Sequence, residues 1–193
     1  GKPLDKFEKV KHQTRMLSLN DTFSYEELYD WEKRIIKLLP TSTKLEYFCE
    51  VKFDGLAVSL IYKAGKFVRG ATRGDGFIGE DVTQNLKTIN SIPLSITMER
   101  GRGEVEVRGE VLMSKKTLIL LNKKNEREGK VLFANTRNAA AGSMRQLDPK
   151  LAAERKLDFY AYDLLLEEDK THSSLHKALA SFGFNVDKHE AVC

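Results

Sequence analysis

The sequence predicts an α+β protein of mainly antiparallel sheets with flanking helices. Three observations carry that prediction. Residues 104–111 alternate strictly, with Glu104, Glu106, Arg108 and Glu110 facing one way and Val105, Val107 and Val111 the other. Residues 56–62 and 66–72 are β-rich runs joined by a short turn at Ala64-Gly65, so they form a hairpin and pair antiparallel. The helical segments stand apart from these strands and do not repeat with them as βαβ units.

The elements follow in order. The opening segment, residues 1–20, is basic and mostly irregular. Ser24-Tyr25-Glu26-Glu27 is a capping box that starts a helix with Leu28, Trp31, Ile35 and Leu38 on one face, stopped at Pro40. Residues 40–44 read as a loop, and residues 47–53 as a strand. After the hairpin, Arg73-Gly74-Asp75-Gly76 makes a glycine-rich turn, and Glu80-Asp81 open a short helix that ends at Lys87. Ser114 caps a helix that reaches about Glu128. Residues 135–146 are helical, with Ala139, Ala140 and Ala141 permitting close packing. Asp148-Pro149 starts a further short helix. Residues 158–164 read as a strand, and residues 175–182 as a last helix ended by Gly183.

Bulk properties narrow the classes. The 193 residues suffice for one sizeable core, and 41% hydrophobic with 31% charged residues is ordinary globular composition. Lys and Arg total 32 against 28 Asp and Glu, and the resulting +4 is too mild to argue by itself for nucleic acid. Two cysteines, Cys49 and Cys193, exclude a disulfide framework and fit a reducing cytoplasm. No apolar run is long enough to span a membrane. The ends do not look like natural ones, which suggests a piece of a longer chain.

The chemistry concentrates at Glu50-Val51-Lys52-Phe53-Asp54-Gly55. As a strand, this segment puts Glu50, Lys52 and Asp54 on one face and Cys49, Val51 and Phe53 on the other. Such a face is either a solvated salt-bridge ladder or a site. A lysine attacks only as the neutral amine, and its carboxylate neighbours favour the charged one. A nucleophilic Lys52 therefore needs desolvation, a second cation such as Arg73, or a metal ion. Arg73 on its glycine turn suits phosphate binding, or is simply a charged turn. Glu110 is a further pocket carboxylate, suited to a ribose hydroxyl or Mg²⁺, or is a cross-strand ion-pair partner. Arg137, Arg145 and Gln146 make a phosphate clamp or a plain charged helix surface. Lys115, Lys116, Lys123, Lys124, Arg127 and Lys130 read as a solvated basic face rather than a nucleic-acid track. His172 and His176 stand four apart, a metal-ligand spacing with no third ligand nearby in the sequence, so no metal site is expected there.

K-x-D-G is the signature of enzymes that form a lysine–nucleotide bond, and Lys52-Phe53-Asp54-Gly55 carries it. Further stretches run in one order along the chain. They are Val10-Lys11-His12, Met16-Leu17-Ser18-Leu19, Ala71-Thr72-Arg73-Gly74-Asp75-Gly76, Gly79-Glu80-Asp81-Val82-Thr83, Glu106-Val107-Arg108-Gly109-Glu110-Val111 and Phe159-Tyr160-Ala161-Tyr162. Arg137-Asn138-Ala139-Ala140-Ala141-Gly142-Ser143-Met144-Arg145-Gln146-Leu147-Asp148-Pro149 is the most specific. With these residues the chain resembles the adenylation (nucleotidyltransferase) domain of bacterial NAD-dependent DNA ligases, an ATP-grasp-like fold. Lys52-Phe53-Asp54-Gly55 alone is shared with ATP-dependent ligases and capping guanylyltransferases; the later block resembles the NAD type.

The resemblance implies a mechanism. Lys52 would attack the α-phosphorus of NAD, releasing nicotinamide mononucleotide and keeping AMP. Asp54 and Glu110 would orient the ribose and assist Mg²⁺ and the lysine. Glu50 would contact the adenine edge and Tyr162 its face, with Ser18 and Leu19 lining the same pocket. Arg73 would contact nucleotide or the nick phosphate, and Arg137 and Arg145 the 5′-phosphate strand of nicked double-stranded DNA. A monomer is expected. Residues 1–45 would be the linker and N-terminal helix, and residues 46–193 the adenylation core, truncated before the family's last two lysine motifs. Thr136 stands where the family usually has proline. Two alternatives remain open: a lysine nucleotidyltransferase using ATP or GTP, and a catalytically dead fragment that binds nucleotide or DNA.

Overall fold

A computed structural model describes residues 6–98, 103–165 and 170–193. The first five residues of the opening segment lie outside that range. In chain order the elements are β1 (Lys9–Lys11), α1 (Tyr25–Ile36), β2 (Phe48–Cys49), β3 (Leu56–Lys63), β4 (Lys66–Thr72), β5 (Ile78–Glu80), α2 (Thr83–Leu86), β6 (Glu104–Leu112), α3 (Lys115–Arg127), α4 (Thr136–Met144), α5 (Pro149–Ala153), β7 (Asp158–Leu165), α6 (His172–Ser181) and β8 (Ala191–Val192). The α+β expectation is met.

The centre is a four-stranded antiparallel sheet in the order β4-β3-β6-β7. Its two faces follow from period-two alternation. Val58, Leu60 and Tyr62 of β3, Val105, Val107 and Val111 of β6, and Phe159, Ala161 and Leu164 of β7 share one core. Leu86, Ile89, Ile92, Leu121, Ala139, Ala140, Met144, Leu179 and Phe184 cover it from the helical side. Ala139 and Ala140 are fully buried, so the small side chains of α4 allow its close approach to the sheet. The opposite face carries Glu106, Arg108 and Glu110, and there the chemistry collects.

Capping accounts for the helix starts. The side chains of Ser24, Ser114, Asn135, Asp148 and Thr171 each accept a backbone N–H in the first turn of the helix that follows. Thr171 starts the last helix at His172, three residues earlier than the apolar period suggests. The short helix after the glycine turn begins at Thr83 instead of Glu80, because Glu80 pairs in β5 with Lys9 of β1. That pairing also gives the opening segment a strand where irregular backbone was expected. Helix α1 forms as its capping box predicts, yet none of its residues is buried among the described ones. Leu28 and Ile36 stay 45% and 51% exposed. Its anchors are the Trp31 ring, 5.9 Å from that of Tyr47, and the Tyr47 hydroxyl, which donates to Glu32 at 2.6 Å. Among the described residues no helix is long and apolar enough to cross a membrane.

The β3–β4 hairpin closes through two residues with positive φ, Ala64 at 46° and Gly65 at 77°. This is the type I′ geometry that matches strand twist, and it favours Asn-Gly. Alanine pays a steric penalty in this region that asparagine largely avoids. Ala64→Asn is therefore expected to stabilise the protein by roughly 0.5–1 kcal/mol in urea denaturation, with an unchanged m-value.

Candidate active site

Residues 50–55 are not a strand. Pairing in β2 stops at Cys49, and the chain then runs irregularly to Leu56. The reason lies in where its backbone donors go. The Val51 N–H is taken by the Asp187 carboxylate at 2.7 Å, and the Gly55 N–H by Glu110 Oε1 at 3.1 Å. Side chains distant in sequence thus replace a ladder. The expected alternation of Glu50, Lys52 and Asp54 against Val51 and Phe53 is lost, and Val51 is exposed. Phe53 is half-buried, its ring 4.7 Å from that of Tyr160, and the exposed Lys52 and Asp54 flank that anchor. Gly55 meets the need for close approach here, because a Cβ would lie 2.2 Å from the Val111 carbonyl oxygen.

Glu110 is the point of convergence. It pairs with Ala57 and Tyr160 across neighbouring strands, so it sits mid-sheet on the face away from the core. Burial pushes its carboxyl above the ordinary 4.5, and the Gly55 N–H pulls the other way. The charges of Arg137, Arg73 and Lys52 also pull it down, which puts all three cations within electrostatic reach of one carboxylate. Arg73 follows β4 directly and is held there by its N–H on the Ala57 carbonyl at 2.9 Å.

Tyr162 owes its place to an irregularity. Gly109 faces Ala161 but Arg108 faces Asp163, so Tyr162 is the extra residue of a β-bulge. Tyr160, Tyr162 and Asp163 are consequently all half-buried, while Phe159, Ala161 and Leu164 turn to the core. Burial pushes the Tyr162 hydroxyl up to about 12, with the Glu110 charge adding to it and Arg108 and Arg73 opposing. The ring is thus neutral at physiological pH, and its neighbours are those of Glu110.

Two residues that the sequence reading did not single out hold the opening segment to this face. Buried Arg108 donates from Nε to Glu106 at 2.7 Å, from one terminal nitrogen to the Arg15 carbonyl at 3.1 Å, and from the other to the Thr14 carbonyl at 2.7 Å. His12 Nε2 stands 3.1 Å from the carbonyls of both Thr72 and Arg73. Met16 is buried and its N–H bonds to Gly76. Ser18 and Leu19 follow immediately and are exposed. The available signal was Arg108 inside an otherwise acidic alternating face, and His12 inside a matched stretch.

The remaining candidates are more dispersed. Arg137, at the start of α4, is 3.4 Å from Asp54 in an exposed pair. Arg145, just past the end of α4, is 3.5 Å from Glu80, which also takes Lys9. The two arginines therefore have different partners. Glu50 faces α6, with His176 Nε2 at 3.0 Å and His172 Nε2 at 3.5 Å. The basic run of α3 is a solvated surface in part, with Lys124 paired to Glu154 and Lys130 to Glu128.

Comparison with known proteins gives the family. The sequence model described as the NAD-dependent DNA ligase adenylation domain matches residues 4–193. The chain is 50% identical over its whole length to a DNA ligase of Acetivibrio thermocellus, 50% to one of Halalkalibacterium halodurans and 51% to one of Brevibacillus brevis. It spans 29%, 29% and 28% of those relatives. The match over residues 4–193, with about 50% identity to these ligases along the whole chain, places this chain in the NAD-dependent DNA ligase adenylation domain family.

Proposed function

We propose that this chain is the self-charging unit of an NAD-dependent DNA ligase. The carrying observation is the convergence of Lys52, Arg73 and Arg137 on the Glu110 carboxylate, beside Tyr162. Neutral Lys52 Nζ attacks the α-phosphorus of NAD. A P–N bond forms, the pyrophosphate P–O bond breaks, nicotinamide mononucleotide leaves, and the lysine proton passes to a pocket carboxylate or water. Cations at 73 and 137 stabilise negative charge that develops on the phosphate oxygens, the dominant requirement of phosphoryl transfer. Tyr162 offers a neutral ring for stacking on adenine. Glu50 contacts the adenine edge, and Ser18 and Leu19 close the pocket from the segment that Arg108 anchors.

Mg²⁺ fits the donors present. Glu110 uses Oε1 for Gly55 and Asp54 uses Oδ1 for Arg137, so among the described residues each retains a second hard oxygen. When bound, the ion supplies charge at the substrate phosphates. On this reading AMP then passes to the 5′-phosphate of a DNA nick, with Arg137 and Arg145 on that strand, and the 3′-hydroxyl seals it. Residues 46–193 form the charging core and residues 1–45 its linker and first helix, working as a monomer in the cytoplasm.

Incubation with NAD and Mg²⁺ followed by intact-mass measurement should show a gain of one AMP, absent in Lys52→Ala. A gain from ATP or GTP but not from NAD would move the chain to another lysine nucleotidyltransferase class. No adduct, with AMP still bound, would make it a binding module.

Glu110→Gln should separate stability from chemistry. The folded carboxyl titrates above 4.5, so the unfolded chain releases its proton first as pH rises. Stability therefore falls as pH rises through the window above 4.5, up to where the folded carboxyl gives up its proton. Glu110→Gln should raise the melting temperature at pH 7 and flatten that slope, while slowing AMP transfer to Lys52. On nicked DNA, Arg137→Ala and Arg145→Ala should each weaken binding and reduce the log–log salt slope by about 0.9, measured by fluorescence anisotropy.

A further inference from the structure

His172, His176 and Glu190 are not used by the reaction just described, although they surround Glu50, which is. His172 and His176 lie one turn apart on α6, so both imidazoles project from one side of the helix. The fold brings Glu50 to them from the far end of the chain. Glu50 Oε2 stands 3.0 Å from His176 Nε2, Glu50 Oε1 stands 3.5 Å from His172 Nε2, and the three ligand atoms all lie within 4.8 Å of one another. Ligands of a tetrahedral zinc ion are about 3.3 Å apart, given metal–ligand bonds near 2.0–2.1 Å. Small rotations would bring this trio to that spacing.

The surroundings support a cation there. His176 is fully buried, and its neighbours at hydrogen-bond distance are all acceptors: Glu190 at 2.6 Å from Nδ1, and Glu50 and the Tyr162 carbonyl (3.2 Å) around Nε2. A ring so placed is satisfied by a hydrogen on each nitrogen, or by Nδ1–H to Glu190 and a metal ion at Nε2. The second arrangement is the carboxylate–histidine–metal relay that fixes tautomer and orientation in metal sites. The Phe48 ring packs edge-on against both imidazoles with centroids 4.9 Å away, which restrains them. Two imidazoles with one carboxylate suit a borderline ion of the zinc type, whereas Mg²⁺ and Ca²⁺ prefer all-oxygen sites.

We propose that Glu50, His172 and His176 form a binding site for one divalent transition-metal ion of the zinc class, oriented by Glu190, and that its occupation withdraws Glu50 from the nucleotide. The second half rests on the assignment of Glu50 to the adenine edge. Metal entry displaces any Nε2 protons to solvent and leaves an open coordination position for water. Charging by NAD would then be inhibited by zinc at a point remote from the phosphates.

Titration of the purified chain with Co²⁺ tests the site directly. A tetrahedral visible spectrum that saturates at one ion per chain and is abolished by Zn²⁺ is expected. His172→Ala, on the partly exposed first turn of α6, and Glu190→Gln should each weaken binding by about 10-fold or more. Cys49→Ser and Cys193→Ser should leave it unchanged. Affinity that is unaltered in His172→Ala, or lost in the cysteine variants, or that never saturates, would overturn the site. AMP affinity is then measured by calorimetry with and without Zn²⁺. A loss of about 10-fold that His172→Ala prevents supports withdrawal of Glu50, and no change overturns it. If AMP fails to bind the metal-free chain, the nucleotide reading falls, while the Co²⁺ result still decides the metal site.

Discussion

A guanidinium inside a protein is tolerated only when its donors are satisfied, and the buried Arg108 meets that condition in a way that organises the reactive face. It grips Glu106, which also receives the Ser59 hydroxyl at 2.8 Å, and it takes the carbonyls of Thr14 and Arg15. Leaving one member of such a buried pair alone costs roughly 3–5 kcal/mol, so Arg108 stays fixed to hold the opening segment by the Thr14 and Arg15 carbonyls. The apolar anchorage of that segment is slight, with Met16 the main buried side chain. Polar contacts are what fix this segment just before Ser18 and Leu19.

The same strand explains why core and chemistry do not interfere. β6 sends its valines to a core covered by α2, α3, α4, α6 and their connections, and its charges to the other side. β7 repeats this division, and its bulge at Tyr162 places one additional residue on the reactive face. Glu110 then serves two purposes. Its carboxylate terminates the irregular segment by accepting the Gly55 N–H, and it sits where three cations converge. Burial works against its ionisation, so the geometry that prepares the site also costs stability, a common property of functional carboxylates.

Much of the fold was legible. The hairpin, the alternating strand and the helices other than the start of α2 follow from period, turn chemistry and caps, all of which act within a few residues. The misreadings share one cause. Residues 50–53 have strand composition, yet the Asp187 carboxylate claims the Val51 N–H and Glu110 that of Gly55 just beyond, and neither can be located from local pattern. Helix α1 has the amphipathic period of a packed helix, but period states which face is apolar and not whether anything covers it. The glycine-rich turn was read correctly, while the strand pairing of Glu80 with Lys9 moved the next helix start.

The sequence by itself determined the family, the Lys52-Phe53-Asp54-Gly55 motif and the spacing of Arg137 and Arg145, because these are matters of residue type and spacing. Only the tertiary structure decided which charges share a field. It brought Lys52, Arg73 and Arg137 within electrostatic reach of Glu110, separated Arg145 from Arg137 by giving it to Glu80, and set Glu50 against His172 and His176. Sequence distance carries no information about such meetings. They arise where strand register and a one-residue bulge bring distant side chains together, and electrostatic interaction depends on that distance and on burial, not on separation along the chain.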